Sequence, residues 1–204
     1  MKKKLILVAS PPACGKTYVS ELIAKSVEHI VYLDKDDLAD LVRASFTLSG
    51  KKMDMDGAFY IENIRPSEYL AILNVAFSAL RFEDIVILNA PFGKEVRDNE
   101  YMRELKCRVN RAGAELFLIW VTASPEICLE RMKKRNSDRD ILKLKNWEEY
   151  IKKIDFTPPS KLKENDAVDK FIIFNTNEES LLKQSLDETL KLIKGGAQWL
   201  TEKK

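Results

Sequence analysis

The residues best suited to chemistry are Ser10-Pro-Pro-Ala-Cys-Gly15-Lys16-Thr17, set between an apolar run and a helical pattern. Their spacing is a near-match to GxxxxGK[ST], the turn that cradles phosphates. Such a loop aims backbone N–H groups at phosphate oxygens, extends a lysine to the outer phosphates and offers a hydroxyl to magnesium, all at the positive end of a helix. On this reading Gly15 permits close approach, Lys16 supplies the charge and Thr17 is a magnesium ligand. Pro12, Ala13, Cys14 and Tyr18 complete the cradle for the nucleotide's phosphates. Ser10 stands at the pattern's first glycine, a position that serves the turn and that a small serine can fill. Glycine and threonine also favour strand-to-helix turns for purely structural reasons, so the strand before and the helix after are what single the motif out. Cys14 reads as a small loop residue, because activating its thiol at the helix end would compete with bound phosphate.

A second cluster, Leu33-Asp34-Lys35-Asp36-Asp37, places three carboxylates at the carboxyl end of a parallel strand, the edge at which such sheets bind ligands. Phosphoryl transfer uses a carboxylate there to accept a hydroxyl proton or to place magnesium. Acids also cap a first helical turn, but one suffices for that. Function is therefore expected of at least one of Asp34 and Asp36, and Asp37 is expected to act electrostatically or to face solvent. A third cluster holds Arg131, Arg135 and Arg139, spaced by four. A continuous helix would align their guanidinium groups along one face, where they could neutralise charge developing on a transferring phosphate. From 131 to 153, nine basic residues face four acids, a local excess larger than the whole chain's +2. A solvated surface helix would show the same charges.

The rest of the chain narrows the chemistry further. Its 204 residues are 45% hydrophobic and 32% charged, the balance of a globular protein with a sizeable core, and a net charge of +2 gives no global field for duplex DNA or an anionic membrane. Cys14, Cys107 and Cys128 match no zinc or disulfide spacing, and a Ser-His-Asp or Cys-His engine, a zinc hydrolase or a His-rich metal centre would each need His29, the only histidine, which precedes a strand and is expected to do nothing catalytic. The apolar core Leu5 to Ala9 after Met1-Lys-Lys-Lys is shorter than the roughly 7 to 15 residues of a secretory signal, and Pro11 and Pro12 end it. No run approaches the ~18 apolar residues of a membrane span. A cytoplasmic protein with reduced thiols is expected.

The elements that must position these clusters follow from hydrophobic pattern. Leu5 to Ala9, Ile30 to Leu33, Ile85 to Asn89, Glu115 to Val121 and Lys170 to Asn175 are short apolar runs alternating with helical stretches. That is an α/β fold with a five-stranded parallel sheet, and the near absence of polar alternation predicts strands buried on both faces. Helices are predicted over 16–28, 36–46, 67–82 and 95–112, then from Ser124-Pro125-Glu126, from Asn146 with Glu149 as a capping box, and through Leu182 to a Gly195-Gly196 stop. The apolar content of 67–82 predicts that it is largely buried. Segments 47–66 and 155–168 have no regular pattern and are long enough to be functional loops.

Together the clusters resemble the P-loop kinases of the polynucleotide-kinase and zeta-toxin-like group, small AAA-type ATP-binding enzymes that phosphorylate a hydroxyl. The resemblance covers the lysine-rich start, the P-loop, the acids after the second strand and Lys134-Arg-Asn-Ser-Asp-Arg139 in the position of an arginine-bearing lid. It implies a P-loop NTPase three-layer α/β/α sandwich with strand order 2-3-1-4-5. It also implies Asp36 as the acceptor-activating base, Arg135 or Arg139 as transition-state stabilisers, and Asn175, Thr176 and Asn177 near the adenine. Arg131, Arg135, Asn175 and Thr176 then join the nucleotide site, with Thr17 and Asp34 on the metal. Two departures stand out. Ala39 replaces the arginine that polynucleotide kinases use for the acceptor's phosphate, and Asn89 replaces an aspartate at the end of the third strand.

The sequence thus reads as a single domain over 1–204 with a lid about 131–147 and an acceptor-side insertion about 47–66. Its expected partners are a nucleotide and an unidentified hydroxyl acceptor, a small molecule or nucleotide. A nucleotide-binding regulator with a degenerate P-loop is the alternative, motivated by Ser10 and Asn89. A motor ATPase lacks support because Asn89 denies the usual acid, and a GTPase because no Asn-Lys-x-Asp occurs.

Overall fold

A computed structural model describes residues 2–137, 140–159, 161–164 and 166–195. The five apolar runs become β1 (Lys3–Ala9), β2 (Ile30–Asp34), β3 (Ile85–Asn89), β4 (Ala114–Thr122) and β5 (Lys170–Asn175). They pair in parallel in one sheet of order β2-β3-β1-β4-β5. Chain direction across the sheet switches beside β1, so a crevice opens at the carboxyl ends of β1 and β3, where such folds take their ligands.

Nine helices are described: α1 (Lys16–Lys25), α2 (Ala39–Leu48), α3 (Arg65–Ala79), α4 (Asn99–Arg111), α5 (Pro125–Arg135), α6 (Ile141–Lys145), α7 (Trp147–Lys152), α8 (Lys161–Glu164) and α9 (Glu179–Lys194). Successive β residues point to opposite faces. Leu5, Leu7, Leu88 and Leu118 therefore pack with α3 and α4 on one side. Ile6, Val8, Ile87 and Ile119 pack with α1, α5 and α9 on the other. Each such side chain contributes about 1.5–3 kcal/mol when fully buried, so the central strands anchor the three layers.

Burial on both faces holds for β1, β3 and β4 but not for all five strands. The edge strands β2 and β5 have a neighbour on one side only, β2 is half-buried throughout, and Ile173 in β5 is 49% exposed. The helix expected over 67–82 begins at Arg65, and it is not largely buried. It covers the sheet with Tyr69, Ile72, Leu73 and Ala76 and leaves Leu70 and Val75 exposed, because one helix face reaches the sheet and the other does not. Phe82, just beyond it, is 80% exposed.

Local start and stop signals act mostly as their chemistry predicts. Ser124 Oγ accepts from Ile127 N at the start of α5, and Gly113 and Gly195 take left-handed φ of 72° and 76° after α4 and α9. Asn146 makes no side-chain capping bond, so the predicted capping box does not form. The pattern over 36–46 divides into a tight turn, Lys35–Leu38, and α2. Segment 47–66 is less irregular than its sequence implies, since a π-helical turn, Tyr60–Ile64, runs into α3. Among the described residues no helix is long and apolar enough to cross a membrane.

Candidate functional site

The end of β1 delivers the chain into the phosphate-type turn. Ala13 (φ 64°) and Gly15 (φ 93°) are left-handed on either side of Cys14, which curls the backbone into a concave loop. Gly15 then caps α1 without a side-chain hydrogen bond. A side chain here would be strained by that φ, and its Cβ would only touch Arg131 Nη1, at 3.4 Å.

Beneath the turn lies Asn89, fully buried at the end of β3. Sheet register sets Asn89 between Val8 of β1 and Asp34 of β2, so three strand ends converge there. Lys16 Nζ donates to Asn89 Oδ1 at 2.6 Å. The amide nitrogen points the other way and lies 2.5 Å from Asp34 Oδ2, 3.1 Å from Thr17 Oγ1 and 3.2 Å from the Tyr32 hydroxyl oxygen. Tyr32 in turn donates to Asp34 Oδ2 at 2.9 Å. Burial, reinforced by Asp34, pushes the Tyr32 phenol up, so it stays a protonated donor. Asn89 joins a cation on one side to an anion on the other, and its amide presents an acceptor to the first and a donor to the second, which an ionised carboxylate could not.

Asp34 leads on to Asp36. Its Oδ1 accepts from Asp36 N at 2.9 Å and starts the tight turn on which Asp36 is exposed. Asp36 Oδ1 lies 3.7 Å from Lys35 Nζ, and that buried ammonium donates to Glu68 Oε1 of α3 at 2.8 Å. Tyr60 donates to the other oxygen of Glu68 at 2.5 Å. Lys35, Glu68, Tyr60 and Tyr32 were not singled out in the sequence. Glu68 gave the one available signal, a carboxylate within a markedly apolar helical stretch.

The arginines part company. Arg131 reaches the back of the phosphate turn, where it donates to Cys14 O at 3.0 Å, Thr176 Oγ1 at 2.9 Å and Thr176 O at 2.6 Å. Arg135 instead forms a two-pronged pair with buried Asp140, at 2.8 and 2.5 Å from Oδ2. The expectation that Arg131, Arg135 and Arg139 share one helix face is corrected. Helix α5 stops at Arg135 because Asn136 turns left-handed at φ 46°, and Arg139 lies outside the described residues.

The loop after β5 closes the site from the far side. Thr176 Oγ1 donates to Cys14 O at 2.8 Å, Asn177 N donates to Asn175 Oδ1, and Ser124 N donates to Asn177 Oδ1. Thr176 is therefore brought to the turn, Asn175 bonds Asn177 and Ser185 instead, and Tyr18 points outward, 57% exposed. Cys14 Sγ sits 3.6 Å from Cys128 Sγ in the core. That contact and burial push the Cys14 thiol up, leaving it protonated as packing. Trp147 and Phe156 pack against the sheet core, with Tyr150 beside Trp147.

The donor set fits a nucleoside triphosphate with a hard cation. Among the described residues no cluster of three His, Cys, Asp or Glu could hold a metal alone. Magnesium commonly takes one or two protein oxygens and draws the rest from phosphates and water, which Thr17 and Asp34 around one amide match.

Fold and site define a P-loop NTPase-like α/β protein. The chain belongs to the AAA domain family, whose model matches residues 5–157. Among solved structures it is similar to a "putative kinase" of Chloroflexus aurantiacus j-10-fl, with TM-score 0.65, 18% identity and coverage of 97% of this chain and 100% of that one. APE1195 gives TM-score 0.61 and 18% identity over 95% and 96%. Kti12 of Chaetomium thermophilum, in complex with ADP-AlF3, gives 0.53 and 18% over 91% and 96%. At such identities these likenesses show the fold alone. No curated protein matches the sequence.

Proposed function

We propose that the protein is a magnesium- and ATP-dependent kinase that transfers the γ-phosphoryl group to a hydroxyl of a small-molecule or nucleotide acceptor. The observation that carries this is the continuous chain of contacts from Lys16 and Thr17 through Asn89 to Asp34 and Asp36. Lys16 holds the outer phosphates and Thr17 and Asp34 hold the metal. The magnesium ion, when bound, neutralises charge on the phosphates during transfer. Asp36, exposed at the rim, takes the acceptor's proton. The segment about 131–147 acts as a lid that excludes water, with Arg131 at its root staying on the phosphate turn and Arg135 exchanging Asp140 for phosphate oxygens as the rest closes.

The test is thermal unfolding with saturating Mg-ATP or Mg-GTP, on the parent protein and Lys16→Ala. Ligand at about 100 times its dissociation constant adds roughly 2.7 kcal/mol, so an ATP-selective rise in Tm, lost in Lys16→Ala, is expected. On an identified acceptor, Asp36→Asn should lower kcat by about 10² to 10⁴ with nucleotide affinity unchanged. A second reading, nucleotide binding without transfer, is favoured by the uncharged Asn89. Binding with no turnover on any acceptor would select it.

A further inference from the structure

Beside the acidic turn lies a cavity of about 450 Å³. Leu38, Leu41 and Val42 form one wall, and Phe59, Ile64 and Ala71 form the other. Its remaining lining is Ser45, Asn63, Ser67 and Glu68, with no lysine or arginine. Leu41 stands at the mouth, 66% exposed. The cavity's polar end is Glu68, whose two oxygens are taken by Lys35 and Tyr60. The same Lys35 ammonium lies 3.7 Å from Asp36 Oδ1, so one cation links the cavity's polar end to the exposed carboxylate of the acidic turn.

We infer that this cavity holds the acceptor and that the acceptor is an uncharged alcohol with an apolar body, an inference that rests on the kinase reading. The volume suits a small molecule. A nucleotide, sugar phosphate or hydroxy acid would lose hydration against leucine, valine and phenylalanine walls that carry no lysine or arginine, and the Lys35 ammonium behind Glu68 is already paired with that carboxylate. Ala39, at the start of α2, adds no cation. An apolar body gains from the walls, and a single hydroxyl at the polar end lies toward Asp36. In the reaction the hydroxyl oxygen bonds to the γ-phosphorus while the bond from that phosphorus to its β-bridging oxygen breaks. The electron pair leaves with ADP, and the hydroxyl proton passes to Asp36. Lys35, fixed by Glu68, is a positioning residue for Asp36.

Phenylbutanol and adenosine monophosphate are suitable neutral and anionic probes on the full chain. Nuclear magnetic resonance should show cross-relaxation from the phenylbutanol ring to methyl groups of Leu41, Val42 and Ile64, and none from the nucleotide. Ala71 is exposed on α3, so Ala71→Trp fills the cavity without entering the core. This variant and Leu41→Lys should each weaken phenylbutanol by about tenfold or more, a change of about 1.4 kcal/mol. Absence of these contacts at millimolar probe, or binding of adenosine monophosphate at the same methyls, overturns the inference. Transfer assays separate the two layers of argument. Labelling of neutral alcohols with a KM raised by Ala71→Trp supports the acceptor assignment. Labelling of an anionic acceptor with kinetics indifferent to Ala71→Trp overturns it and leaves the kinase reading intact. Mg-ATP bound equally by the parent and Lys16→Ala would remove the kinase reading, and with it the acceptor role, whatever phenylbutanol does.

Discussion

Asn89 shows how one amide can organise a charged site. Its Oδ1 accepts from Lys16 and its nitrogen donates toward Asp34, so the ammonium and the carboxylate are held apart with opposite ends of one side chain matched to each. An aspartate could accept from Lys16 but would press a second carboxylate against Asp34 in a buried setting. Asn89→Asp should therefore cost about 2 kcal/mol of stability at neutral pH without ligand. One of the paired carboxylates would have its folded-state pKa raised above the unfolded value, so the folded state would hold the extra proton and the deficit would shrink as pH falls toward 5. Urea unfolding of both proteins at several pH values, with and without magnesium, tests this. A deficit that neither acid nor magnesium reduces would mean that the two carboxylates do not share a site. Lys16 and Thr17 were legible in the sequence because one local turn fixes both. Lys35 and Glu68 were not, because their pairing spans 33 positions and depends on how α3 crosses the sheet.

At the scale of elements, the phosphate turn is held from behind by a helix and a loop distant in sequence. Arg131 of α5 and Thr176 after β5 both bond Cys14 O, tying the turn to the ends of β4 and β5. Charged hydrogen bonds contribute about 1.5–3 kcal/mol each, with their sum reduced by sharing. Arg131→Ala should then destabilise the protein by about 2–4 kcal/mol and weaken nucleotide binding, although Arg131 need touch no phosphate. Calorimetric unfolding beside nucleotide titration would check it, and unchanged stability would return Arg131 to a purely ligand-facing role. In the same turn Ala13 sits at φ 64°, a conformation that costs a residue with a Cβ about 1–2 kcal/mol. Ala13→Gly should raise the Tm, and an unchanged or lower value would show that the methyl's packing, together with the freedom glycine adds to the unfolded chain, offsets the strain. The strands and the capped helix ends were legible because they depend on local pattern: Ile85–Asn89 and Lys170–Asn175 match their apolar runs to the residue. The shared arginine face was not, because a spacing of four aligns side chains only while the helix continues, and Asn136 ends it. Exposure of β2 and β5 was hidden for a related reason, since which strands lie at an edge is decided by sheet order rather than by their own residues.

Across the whole molecule, five tyrosines share one electrostatic condition. Burial is the largest cause pushing up the phenols of Tyr32, Tyr60, Tyr69, Tyr101 and Tyr150, with Tyr101 moved to about 12. They occupy different parts of the fold: Tyr32 beside Asn89, Tyr60 on Glu68, Tyr69 and Tyr101 under the α3 and α4 layer, Tyr150 in α7. A folded-state pKa above the unfolded value near 10 means that the folded protein keeps protons that the unfolded chain has lost. Stability from these groups is full below about pH 10 and falls as pH rises, by about 1.4 kcal/mol per pH unit for each phenol. Partial exposure of Tyr32, Tyr101 and Tyr150 screens their share, so the five together remove less than about 7 kcal/mol per unit, set against a typical total of about 5–15 kcal/mol. The protein should therefore unfold cooperatively one to two units above about pH 10, with tyrosinate absorbance and loss of circular dichroism rising in the same step. Tyr101→Phe, which keeps the ring and removes the ionisable group, should make that transition shallower and shift it upward. Tyrosinate absorbance that appears well before the circular dichroism changes would mean the phenols ionise within the folded protein, and that the layers over the sheet open to solvent independently of it.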